Sequence, residues 1–146
     1  MEKSKFDSGL REYRLSDMGV LRFNPADPNL YARFLGCGDK IRQIEQELKD
    51  SAQQIDSQDA AAGVSLMAQA DRKMKDMLGW VFGEQNDFDK ILGGVSLLAI
   101  GANGQRVIVN LLSALQPALE EGARLCARQE SQKALGAAQK RRAGRA

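Results

Sequence analysis

The feature that most constrains this chain is a doubled heptad between residues 30 and 55. Leu30, Cys37, Ile44 and Ser51 recur every seven residues, and Phe34, Ile41, Leu48 and Ile55 repeat the pattern four residues on. Such a seam, apolar everywhere but Ser51 and flanked by the charges of "KIRQIEQELKD", is the signature of a long helix packed along one face. Asp27 is a natural N-cap and Pro28 suits the first helical turn, so the helix is predicted from about Pro28 to about Gln54. At 1.5 Å per residue it would be roughly 40 Å long. Gly36 and Gly38 weaken its first half, by about 1 kcal/mol each relative to Ala, and suggest a bend or a close backbone approach.

The rest of the chain is arranged around that helix. Tyr13–Leu15 and Val20–Phe23 have strand-like side chains, with Ser16-Asp17-Met18-Gly19 as a hairpin turn between them. A lone hairpin is marginal in water, so this one must dock on the helices, and its free edge is a candidate for pairing with a partner. After "DSQDAAAG", a second helix carries Val64, Met67, Met74, Leu78 and Val81 and ends at Gly83; Asp71 interrupts its stripe, so Ala70 or Met77 belongs to the buried face. The first two helices most simply form an antiparallel pair. "EQNDFDKILGG" reads as a short capped helical turn with Phe88, Ile91 and Leu92 inward. "VSLLAIG" is apolar all round, Asn103 is placed to cap a last helix, and Pro117 is expected to kink or divide it. The predicted fold is therefore mainly α: a helical bundle with a small N-terminal β-hairpin. Residues 1–9 form a flexible N-terminus, 10–130 the single helical domain, and 131–146 a basic, disordered tail.

Composition narrows the chemistry. The chain has no His, and its two cysteines, Cys37 and Cys126, stand far apart. An activated thiol needs a base and a metal needs a cluster of donors; neither is supplied, and no phosphate-binding glycine loop or nucleophile motif occurs. The prediction is a non-enzymatic protein without cofactor or metal, its cysteines reduced. The charged start of the chain lacks a secretory pattern, and the most apolar tract is too interrupted to span a bilayer. Two groups stand out. Met67, Met74 and Met77 lie along one helix with Trp80 and Phe82 at its end, a composition that builds adaptable partner-binding grooves and, more often, simply fills cores. As a binding face, it predicts that alanine at Met74 and Met77 weakens partner capture and leaves the fold intact. Lys133, Lys140, Arg141, Arg142 and Arg145 carry the tail's charge without an acid among them. A polyanion is their alternative to plain solvation, and no aromatic is interleaved to stack on bases.

The order of "EYRLSDMGVLRFNPADPNLYARF", a long charged helix, "ADRKMKDMLGWVFG" and "DKILGGVSLLAIGANGQRVIVNLLSALQPAL" resembles small proteins of tailed bacteriophages and prophages taken to be tail assembly chaperones. The resemblance spans residues 10–122 and rests on the succession of short motifs. It implies a host-cytoplasmic, oligomeric protein that binds the tape-measure protein non-covalently, keeps it soluble, and helps recruit tail tube subunits. The tail after Arg128 and Gly36-Cys37-Gly38 depart from the family pattern. Two other readings stay open: a minor tail protein retained in the virion, and a small nucleic-acid-binding accessory protein acting through the tail.

Overall fold

A computed structural model of the chain describes residues 5–17 and 19–144. It is mainly α, with a two-stranded antiparallel hairpin followed by four helices: β1 (Arg11–Ser16), β2 (Gly19–Phe23), α1 (Pro28–Ala52), α2 (Ala60–Phe82), α3 (Phe88–Ile91) and α4 (Val107–Ala143). Pairing runs from Arg11 opposite Phe23 to Ser16 opposite Gly19, with an irregularity between Arg14 and Ser16. Alternation sends Leu21 and Phe23 into the core and leaves Tyr13 and Leu15 partly buried against it. The turn is tighter than its sequence suggests, because Ser16 and Gly19 are themselves paired. Gly19 is required there: a Cβ would meet the Ile91 backbone at 2.5 Å.

The hairpin is fastened to the helices by aromatic contacts and by hydrogen bonds. Tyr13 stacks on Phe23 at 4.7 Å between ring centroids, Phe23 meets Phe82 edge-on at 5.1 Å, and Phe82 reaches Phe88 at 5.9 Å. Beside this run the buried Asn86 side chain accepts from the Arg22 N–H (2.9 Å) and donates to the Arg22 carbonyl (2.8 Å) and to the Phe82 carbonyl. Asn86 thus behaves as a one-residue strand and closes the outer edge of β2 at Arg22. The edge expected to be free for a partner is occupied there from within the chain.

Asp27 caps α1 through the Asn29 N–H, with Pro28 leading the first turn. α1 and α2 are antiparallel: Arg33 donates to the Val81 carbonyl, Lys40 sits 3.8 Å over the Trp80 ring, and Glu47 meets Lys73, so position along one helix rises as the other falls. The heptad seam is confirmed as an intrachain packing face, with Leu30 and Cys37 buried and Phe34, Ile41, Ile44 and Leu48 partly so. Burial raises the Cys37 thiol above its ordinary pKa. Gly36 and Gly38 mark no close approach; a side chain at Gly36 would enter open space.

α4 departs from expectation in its cap and in its length, and Pro117 does not divide it. Asn103 does not cap it but pairs with the Asn110 side chain, while the first helical N–H groups, of Val107 and Ile108, donate to the Ala99 and Leu97 carbonyls of the preceding loop. The helix continues through the exposed Pro117, where solvent can serve the carbonyl that the ring leaves unpaired. It also runs on past residue 131 to Ala143, so the segment read as a disordered tail is helical as far as it is described. Ala, Gln, Lys and Arg are strong helix formers, and Lys140, Arg141 and Arg142 oppose the dipole at its C-terminus. Arg145 lies outside the described residues.

The backbone's close approach is at Gly122, where a Cβ would overlap the Pro25 carbonyl. Gly122→Ala should therefore cost about 1–3 kcal/mol by overpacking, despite the better helix propensity of Ala. Gly136→Ala, with nothing near, should stabilise by up to about 1 kcal/mol. Paired urea melts of the two variants check the opposite signs.

Candidate functional site

The five residues read as one contact face are not together. Met74, Met77 and Phe82 belong to the core, the first fully buried and the others nearly so. They pack with Leu78, Val81, Phe88 and Leu119 in a single cluster. The reason is the width of the stripe. α2 lies between α1 on one side and the hairpin and α3 on the other, so most of its circumference in the second half is covered. Met67 (38% exposed) and Trp80 (43%) do reach the surface. They stand 13 residues apart, about 20 Å along the axis and on different sides of the helix. Trp80 is engaged by the Lys40 ammonium.

Met67 lines a surface groove. Val64, Met67, Ala68 and Asp71 follow the i, i+3, i+4, i+7 row of α2 and form one wall of a groove of about 380 Å³; Gly94, Ser96, Leu98 and Ala99 form the other. Val64 is 66% exposed, and Val95 and Ile100 on the same loop are exposed as well. The groove is mostly apolar, with Asp71 and Ser96 in its walls, and open at the surface.

Its second wall is held by a polar cluster that the stripe concealed. Asp71 is buried, and one carboxylate oxygen accepts from the Leu97 N–H at 2.7 Å while the other pairs with Lys75 at 2.8 Å. Lys75, also buried, reaches the exposed Asp89 at 2.7 Å. Burial by itself would lower the Lys75 pKa; hydrogen bonds and charge from Asp71 and Asp89 outweigh it and raise the value above the ordinary 10.5. A lysine held this firmly as a cation is a structural anchor, not a nucleophile. The sequence signal was the Asp71–Lys75 spacing of i, i+4 inside an apolar row. Both Ala70 and Met77 are buried, so Asp71 adds to the buried face and displaces neither.

Next to this cluster, Arg72, Asp76, Glu84, Asp87 and Asp89 line a wider polar cleft of about 560 Å³. Among the described residues no group of three or more His, Cys, Asp or Glu is arranged to hold a metal ion. No described helix is long and apolar enough to cross a membrane. The basic group is likewise separate from the groove: Lys133, Lys140, Arg141 and Arg142 are exposed along the last turns of α4.

No family model matches the chain, no curated protein matches it, and no solved structure matches it.

Two consequences can be measured by denaturation. Met74→Ala should destabilise by about 2–5 kcal/mol, whereas Met67→Ala should stay within about 0.5 kcal/mol of wild type; this reverses the expectation that Met74 can be cut back freely. Lys75→Met strands the Asp71 carboxylate and should cost about 3 kcal/mol at neutral pH. Because the folded pKa of Lys75 lies above the unfolded value, its stabilisation is complete below pH 10.5 and is lost as pH rises through the folded value. The gap between wild type and Lys75→Met, followed by urea melts against pH, should narrow only above that point.

Proposed function

We propose that this protein is a tail assembly chaperone of a tailed bacteriophage or prophage, acting in the host cytoplasm by non-covalent capture of apolar helical segments of the tape-measure protein. The observation that carries the reading is the groove between the first half of α2 and the loop at 94–99. It offers exposed Val64 and Met67 against Leu98 and Ala99, on a helix whose other methionines, Met74 and Met77, are locked in the core. A helix laid in such a groove buries apolar area at each i, i+3, i+4 contact, and an unbranched Met side chain adapts to different client residues. The succession of motifs over residues 10–122 supplies the client class. The same reading makes recruitment of tail tube subunits the next step after capture.

Co-expression with a tape-measure protein of the same phage or prophage tests the reading. The client should become soluble and co-purify. Val64→Lys combined with Met67→Lys should reduce retention at least about tenfold and leave the thermal melt unchanged, since both side chains are exposed. Purified particles should lack the protein. A client that stays insoluble beside a folded wild-type chain would reject the proposal, and persistence in the particle would identify a structural tail component instead.

A further inference from the structure

Among the described residues, the last third of α4 has no packing partner within the chain. Its core contacts, Ile108, Leu111, Leu115, Leu119 and Gly122, lie on one side and end at Gly122; Cys126 still donates to the Ala26 carbonyl, and nearly every residue from 127 to 144 is exposed. A helix that gains nothing from burial is only marginally favoured in water. About a third of a turn round from the core face, a second row holds Glu120, Ala123, Ala127, Ala134, Ala138 and Arg141, at spacings of three, four, seven, four and three, with Glu130 and Ser131 at its midpoint. Turned end for end about the Glu130–Ser131 bond, the row matches itself. Ala123 falls opposite Ala138, Ala127 opposite Ala134, and Glu120 opposite Arg141. Among the flanking charges, Glu121, which also meets Arg124 and Arg128 of its own helix, falls opposite Lys140. A parallel arrangement would instead set Glu120 on Glu120 and Arg141 on Arg141.

We propose that the α4 arms of two copies pair antiparallel along this row, so that the protein is a two-fold symmetric dimer. The charge pattern carries the proposal. From 131 to 144 the arm has four cations, Lys133, Lys140, Arg141 and Arg142, and no acid, whereas 120–130 holds Glu120, Glu121 and Glu130 against two arginines. Opposite charge therefore sits at opposite ends of a segment about 32 Å long, which is self-complementary only when reversed. The alanines allow close approach of the two axes without rotamers to be frozen. Symmetry makes each contact occur twice. The arm is remote from the groove on α2, so the inference is independent of the client that the groove binds.

Charge reversal on the full-length chain tests it, read by sedimentation equilibrium. Wild type should be a dimer, weakened by salt. Glu120→Arg with Glu121→Arg, and separately Arg141→Glu with Arg142→Glu, should each weaken self-association at least about tenfold. The two variants mixed in equal amounts should associate with each other. The cooperative thermal melt of the core should persist, since all four residues are exposed, while helical signal from the arm should fall as the dimer dissociates. A wild-type chain that is monomeric, a dimer indifferent to both reversals, or an arm that retains nucleic acid while the chain stays monomeric would each overturn the proposal.

Discussion

A carboxylate inside an apolar cluster has to be matched, and the matching of Asp71 decides where the second half of this chain goes. With one oxygen on the Leu97 N–H and the other on Lys75, Asp71 ties the loop at 93–106 to the middle of α2. That loop then supplies the Leu97 and Ala99 carbonyls that receive the first N–H groups of α4. Without the tether, α4 would begin with unsatisfied donors, since Arg106 at its N-cap provides no side-chain acceptor. The same loop is a wall of the apolar groove. One buried ion pair thus sets the start of the longest helix and the shape of the groove together. Unlike an isolated buried charge, it is fully hydrogen-bonded, and among the described residues no buried side-chain donor or acceptor is left without a partner.

The hairpin solves a different problem by similar means. Two strands cannot hold themselves together in water, and their outer edges invite pairing with other chains. Here Phe23 enters the aromatic run at the end of α2, and Asn86 spends its amide on both backbone groups of Arg22. The Ser16 hydroxyl donates to the Ile91 carbonyl on α3. The hairpin is therefore part of the core's lid, with its edge at Arg22 closed from within the chain.

Much of this was legible in the sequence. The heptad seam, the Asp27-Pro28 cap, the antiparallel helix pair and the inward Phe88 and Ile91 all follow from local patterns that burial enforces. What was not legible depends on who covers whom. Met74 and Met67 differ by seven residues and look equivalent on a helical wheel, yet one is sealed and the other half open, because the second half of α2 has neighbours on more sides than the first. Asn103 looked like a cap because its type is right, but the loop's own carbonyls reached the N–H groups first. Composition hid the helicity of 131–143: a stretch with little to bury reads as tail, although its residues are intrinsically good helix formers.

These points bear on how capture and pairing would work together. The groove lies beside the N-terminus of α4, where Ala99 and Leu97 touch Val107 and Ile108. The proposed dimer contact is centred on residue 131, about 36 Å further along the helix at 1.5 Å per residue. Pairing of the arms would leave both grooves open and hold them at a fixed separation set by two stiff helices. A client with repeated amphipathic helical stretches would meet two grooves at once, and the second contact would form at the effective concentration of a tethered site. Each groove is small, so weak single contacts would release easily, while the pair would hold. That combination suits a protein that must keep a long helical client soluble and then give it up to an assembling tube.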